Sequence, residues 1–195
     1  ATAAILTGKT VEEVSKDERQ KAKAPNFGFI YGMQPPRLVL YAQSDYGVSI
    51  SLKDAEKFRT RFFQAYGGIE SWHEYVKKRI MPKGISHTIG GRLRYLDPDK
   101  AYNEFFNTPV QGTGADALKS SMRNVHYALK KLGPEFKMVH HVHDEIITEV
   151  PDDPEAIELT KKALHDGMYE CMSQFLRKVP VKVDPSEGRT WAEAH

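Results

Sequence analysis

Four side chains between residues 19 and 31 follow one another at intervals of four: Arg19, Lys23, Phe27 and Tyr31, in the stretch RQKAKAPNFGFIYG. Each helical residue turns ~100°, so residues four apart drift by only ~40° and the set stays on one side of a helix. A guanidinium and an ammonium come first, and both are suited to the oxygens of a polyphosphate. Two rings follow: one able to pack on a sugar, the other able to stack on a base, a contact worth roughly 1–3 kcal/mol. Gly28 and Gly32 are costly helix residues, which points to something needing the space. Spacing alone also fits a plainer helix with exposed cations and aromatic residues in a core.

A second group lies in HVHDEI, residues 141–146. Asp144 and Glu145 are adjacent. On a regular strand they point to opposite faces and cannot share an ion, whereas in a turn either can act as a ligand. Hard carboxylate oxygens suit Mg²⁺, commonly held by one or two carboxylates plus substrate phosphates. A solvated hairpin tip is the plainer reading. His140, His141 and His143 raise zinc, but only His141 and His143 would share a strand face, and no third ligand is evident.

These residues must be positioned by the rest of the 195-residue chain, long enough for one substantial core or for part of a larger domain. Hydrophobic residues make up 40% and charged residues 28%, ordinary for a soluble globular protein. The net charge of +2 neither demands nor excludes nucleic acid, so an anion site must come from clustering. The single cysteine, Cys171, rules out an internal disulfide and a cysteine-built zinc site, and a reducing, cytoplasm-like compartment is expected. No apolar run reaches the ~18–20 residues of a membrane span. The N-terminal ATAAILTGKT does not read as a signal peptide and lacks a starting methionine, as in a processed chain or a piece of a longer one.

Residues 11–32 read as helix interrupted at Pro25, with a kink or a restart near residue 24, and QPPR at 34–37 ends the segment. A helix capped by Ser51 carries Phe58, Phe62 and Tyr66 on one face until Gly67-Gly68. Another follows with Trp72, Val76 and Ile80, stopped by Pro82. ISHTIGGRLRYL reads as a hairpin around Gly90-Gly91. A long helix begins in NEFFNTPVQG and ends at Gly133. Leu118, Met122, Val125, Leu129 and Leu132 line one face, and Gly112, Gly114, Ala115 and Ala117 permit a close approach near its start. KMVHHVHDEIITEV reads as two strands around a turn at His143-Asp144. An amphipathic helix follows, then a final strand, VPVKVD. Long helices with an antiparallel sheet predict an α+β fold, and no internal domain boundary is marked.

The motifs together resemble those of family A, DNA polymerase I-like DNA polymerases. RQKAKAPNFGFIYG resembles the R-x₃-K-x₃-F-G-x₂-Y-G helix of their fingers, and HVHDEI their V-H-D-E palm motif. TIGGRLRYL is similar to T-x-x-G-R-x-R-x-hydrophobic, NTPVQGTGAD to N-x-P-x-Q-G-T-x-A-D, and VPVKVDPSEGRTWAEAH to the family's C-terminal ending. The motifs occur in the family's order and cover nearly the whole chain. The resemblance implies the C-terminal part of such an enzyme: a helical fingers subdomain near residues 10–80, and part of an antiparallel palm sheet packed on helices near residues 85–195.

The implied activity is template-directed DNA synthesis, nucleotidyl transfer from a deoxynucleoside triphosphate (dNTP) to a primer 3′-hydroxyl. Arg19 and Lys23 would hold the triphosphate, Phe27 would pack on the sugar, and Tyr31 would sit by the templating base. Asp144 would be one of two aspartates holding two Mg²⁺ ions about 3.5–4 Å apart. Glu145 would support the metal site and His143 the primer terminus. Arg92, Asn107, Gln111 and His143 would contact primer–template DNA. Gln111 and His143 would lie near the minor groove, where acceptors are nearly alike for all base pairs.

Several features depart from the family pattern. The palm motif bearing the second aspartate, and a phosphate-binding histidine, belong before residue 1, so an upstream polymerase segment is an expected partner. This chain by itself is expected to be inactive, and a non-catalytic primer–template or nucleotide-binding module is the competing reading. A helical interaction protein with no nucleic-acid role is a further rival. Family members often have arginine where this chain has Asn103, which puts one DNA contact in doubt. Pro25 lies inside the fingers helix. Phenylalanine at 27, where some members have tyrosine, implies discrimination against dideoxynucleotides.

Overall fold

A capping box starts the helix that carries the cation–aromatic stripe. The Glu18 N–H donates to Ser15 Oγ and the Ser15 N–H donates to Glu18 Oε2. Hydrogen bonds from the Lys9 ammonium and the Ser15 backbone bring the Glu18 carboxyl down to about 2. The computed structural model describes residues 2–194 and is mainly helical. The helices are α1 (Thr2–Thr7), α2 (Lys16–Ile30), α3 (Pro35–Tyr46), α4 (Leu52–Ala65), α5 (Gly67–Tyr75), α6 (Tyr102–Asn107), α7 (Thr113–Leu132), α8 (Pro154–Phe175) and the short α9 (Trp191–Ala194). The strands are β1 (Ile85–His87), β2 (Leu93–Tyr95), β3 (Lys137–Val142) and β4 (Glu145–Glu149), forming two separate two-stranded sheets, β1-β2 and β3-β4. Long helices with small antiparallel pairs make the expected α+β fold.

The chain divides into two compact units. One is the chain through Ser86 together with Leu93–Pro109; the other is His87–Arg92 and the chain from Val110 onward. In the first, Phe29, Leu38, Ala42, Ala55 and Phe62 are fully buried where α2, α3 and α4 meet. A second cluster joins Val76 to Phe105 and Phe106 of α6, with Tyr31 and Trp72 packed against it.

Several local expectations are corrected. Helix α2 begins at residue 16, not 11, and neither breaks nor restarts at Pro25. The proline removes one backbone bond, but its ring is fully buried on the core-facing side with Ala22, Ala24 and Phe29, and that packing offsets the loss. QPPR does not merely end a segment. Pro35 and Pro36 sit in the first turn of α3, where the missing N–H has no intrahelical partner anyway. Pro82 lies in a 3₁₀ turn that extends α5 through a π turn at Val76–Ile80, and the chain turns at Gly84. The long helix from 102 to 132 is interrupted by a π turn, Thr108–Gly112, which contains Pro109.

Ser51 does cap α4: its Oγ accepts from the Asp54 N–H at 3.1 Å. Phe62 is the fully buried member of the expected face.

In the second unit α7 packs on α8. The buried stripe of α7 is Thr113, Ala117, Ser121, Val125 and Leu129, at strict intervals of four. Leu118, Met122 and Leu132 are only half-buried flanks of it. A tight helix contact lies at Gly167 of α8, where an added Cβ would stand 2.8 Å from Val125 Cγ2; Gly114 has open space around it, which leaves its backbone approachable.

No final strand forms at VPVKVD. Val181 and Val183 alternate in burial with exposed Lys182 and Asp184, as on a strand, but no ladder partner lies alongside and Pro180 offers no N–H.

Candidate functional site

The stripe on α2 lies on the helix's outer face. Ala22, Ala24, Pro25, Gly28 and Phe29 are buried, while Arg19, Lys23 and Phe27 are exposed and Tyr31 is half-buried at the C-cap. Phe27 is 43% exposed, so it does not belong to the core. Two cations and an uncovered ring along one face suit an anion joined to a flat or sugar-like body.

The C-terminal end of α2 is closed by a Schellman motif. The Met33 N–H donates to Gly28 O at 2.8 Å and the Gly32 N–H to Phe29 O at 3.1 Å, with Gly32 at φ +78°. A Cβ on Gly32 would lie 2.9 Å from Phe106 Cε2, so only glycine fits. Asn107, at the end of α6 in this same unit, is half-buried.

The remaining candidate residues belong to the second unit. Val142 pairs with Glu145, which leaves His143 and Asp144 as a two-residue turn. His143 has φ +52°. A left-handed residue at the first turn position matches the twist of a hairpin but strains a side chain other than glycine by about 1–2 kcal/mol. That strain sits beside two carboxylates. Since His143 is in the turn, it does not share a strand face with His141, as a zinc reading would need.

Asp144 is exposed, and its carboxylate makes no ion pair or hydrogen bond among the described residues; Glu145 is half-buried at the start of β4. Among the described residues no group of three His, Cys, Asp or Glu side chains stands close enough to hold a metal ion. One exposed carboxylate in a turn fits one ligand position of a Mg²⁺ site completed by phosphates and other groups. A groove of about 1120 Å³ runs from Asp144 and Glu145 along β4 to α8 and residues 182–194. Its lining also takes in Val139 of β3 and Leu164 and Met168 of α8.

Arg92 and Gln111 frame the start of α7. The loop 88–92 is fastened there by the Ile89 N–H donating to Thr113 Oγ1 at 2.9 Å and the Arg92 N–H donating to Thr88 Oγ1 at 3.1 Å. The Arg92 guanidinium donates to Gly112 O at 3.0 Å and pairs with Asp116 at 2.8 Å. Gln111 is exposed.

Sequence reasoning assigned no role to Asp116, although it closes the QGTGAD motif. It also missed His73, whose local sequence ESWHEYV gives no sign that the ring is buried. His73 is 5% exposed and its Nε2 stands 2.8 Å from Ile30 O. Burial pushes its pKa below the ordinary histidine value, against the pull of that carbonyl.

The sequence pattern of DNA polymerase family A matches residues 1–193. DNA polymerase I of Aquifex aeolicus (strain VF5) is 40% identical over 194 residues, 98% of this chain and 33% of that protein. DNA polymerase I of Lactococcus lactis subsp. cremoris (strain MG1363) is 34% identical over 196 residues, 94% of this chain and 21% of that protein. The chain thus spans a third or less of these relatives' length. Among solved structures, the POL domain of Pol1 from M. smegmatis, in complex with DNA primer-template and dNTP, superposes with a TM-score of 0.76 at 25% identity, covering 87% of this chain and 30% of that one. The sequence match, the relatives and the fold agree: the chain belongs to DNA polymerase family A.

Proposed function

We propose that this chain works as the C-terminal fingers and distal palm, about residues 10–80 and 85–195, of a polymerase that adds deoxynucleotides to a primer 3′-hydroxyl under the direction of a template. The observation that carries the reading is the outer face of α2, where Arg19, Lys23 and Phe27 are exposed in order while the opposite face is core. Family membership and the primer-template and dNTP bound by the M. smegmatis relative support it.

In this reading Arg19 and Lys23 neutralise the triphosphate, and Lys23 stabilises charge that develops on the phosphate oxygens. Phe27 packs on the deoxyribose and Tyr31 borders the templating base. Asp144 supplies a carboxylate to Mg²⁺, and Glu145 supports it from the adjoining strand. Mg²⁺, when bound, supplies positive charge to the attacking and leaving oxygens of phosphoryl transfer. Arg92, Asn107, Gln111 and His143 hold the primer–template. An upstream segment bearing a second aspartate completes the site. Residues 1–195 alone are expected not to extend a primer, because one carboxylate does not offset the repulsion of two close divalent ions.

Phe27→Tyr tests the reading. A hydroxyl at the sugar-facing ring can stand in for the missing 3′-hydroxyl of a dideoxynucleotide. Competition kinetics in the complete polymerase are expected to show dideoxynucleotide use rising by more than about tenfold, or ~1.4 kcal/mol. An unchanged ratio removes Phe27 from the sugar.

A further inference from the structure

The end of α2 is held by donors from two other helices. The Schellman motif satisfies the carbonyls of Gly28 and Phe29, leaving those of Ile30 and Tyr31. His73 Nε2, from α5, stands 2.8 Å from Ile30 O, and Asn103 Nδ2, from α6, stands 2.5 Å from Tyr31 O. A carbonyl oxygen only accepts, so both nitrogens donate and the His73 proton is on Nε2. The donors lie 43 and 72 residues away in sequence. His73 is fixed in turn by the rings of Phe63, Trp72 and Phe106, at centroid distances of 5.5, 5.4 and 4.5 Å. Gly32 is wedged against Phe106 and Tyr102. The main chain on both sides of the Tyr31 Cα is therefore pinned by groups outside α2.

Asn103 is where many family members have arginine, the position at which the resemblance places a DNA contact in doubt. Its amide nitrogen is directed to the Tyr31 carbonyl within the first unit. We propose that Asn103 is a positioning residue for nucleotide selection: it sets the place of Tyr31, and through Tyr31 the shape offered to the nascent base pair, without contributing to the hold on DNA. The proposal rests on the reading of α2 as the nucleotide-selecting helix. A mispaired base differs from a correct one mainly in shape, so a shift of the bordering ring alters the mispair and the correct pair unequally.

The test is single-nucleotide insertion by the complete polymerase, with matched and mismatched dNTPs, beside primer–template Kd. Asn103→Leu keeps the bulk and removes the donor; Asn103→Asp does the same with a closer size match and serves if the leucine variant fails to fold. The ratio of kcat/KM for correct over incorrect insertion is expected to fall about fivefold or more, with Kd held within about twofold. In a Tyr31→Ala background the same substitution is expected to add less than about twofold, because the ring it positions is gone. Selectivity altered by Tyr31→Ala but untouched by either Asn103 variant overturns the proposal alone. Selectivity indifferent to Tyr31→Ala overturns the reading of α2 and the proposal with it. DNA affinity lost in step with selectivity makes Asn103 a DNA contact, and also overturns it.

Discussion

Arg92 Nε and Asp116 Oδ1 are 2.8 Å apart, and the same guanidinium donates to the Gly112 carbonyl at 3.0 Å. Two acceptors therefore orient a cation whose side chain is still 51% exposed, while the Asp116 side chain is 17% exposed and its Oδ2 is buried with no hydrogen-bond partner among the described residues. The proposed function gives this oriented cation a primer–template phosphate. Asp116→Asn is expected to loosen Arg92 and weaken primer–template binding by several-fold. Exposure of the arginine limits the effect to about 1 kcal/mol. Anisotropy titrations with labelled primer–template measure it, and an unchanged Kd contradicts the role given to Arg92.

Lys23 and Arg92 are assigned to different ligands, so their losses must differ in kind. Lys23→Ala is expected to lower kcat/KM for the incoming dNTP by more than about tenfold while primer–template Kd changes less than about twofold. Pre-steady-state incorporation and DNA titration on one preparation separate the two. Equal losses in both take Lys23 off the triphosphate.

His73 gives the fold a pH dependence. Its folded-state pKa lies below the ordinary 6.5, chiefly through burial. The unfolded chain therefore takes up the proton first as pH falls. The stability contributed by neutral, buried His73 is complete above the ordinary histidine pKa and is lost as pH falls through the folded value. Thermal unfolding of the chain is expected at lower temperature near pH 5 than near pH 7, with His73→Gln flattening that slope. A variant with the same slope as the parent contradicts the account of His73.

The stripe and the hairpin turn were legible because each is a local pattern: a period of four for Arg19 to Tyr31, and β-prone runs flanking His143-Asp144. What the period did not say was which way Phe27 faces, since an aromatic residue on a helix is usually core; the burial of the opposite face decides it. Helix α3 was missed because two prolines read as a stop, whereas in the first turn they start a helix. VPVKVD has the alternation of a strand, but a strand needs a ladder partner, which no local pattern reveals. The Asn103 and His73 contacts to the end of α2 were illegible for the same reason, since they join residues 72 and 43 positions apart. Small residues near Gly114 permit a close approach to the backbone, and space is open there; a tight helix contact lies elsewhere, at Gly167, where the facing Val125 comes from another helix and no local pattern announces it.

The proposed function requires Asp144, exposed beside a strained residue at the β3–β4 turn, to serve phosphoryl transfer. Its most direct test is the single-turnover rate of dNTP incorporation by the complete polymerase in saturating Mg²⁺, comparing the parent with Asp144→Asn. The amide keeps the size of the side chain and the hairpin but loses the charge that attracts a divalent cation. A fall of more than about 10³-fold is expected, with primer–template affinity and unfolding temperature little changed. A rate within about tenfold of the parent's would remove Asp144 from the metal site, and with it the account of this turn as part of a polymerase active centre.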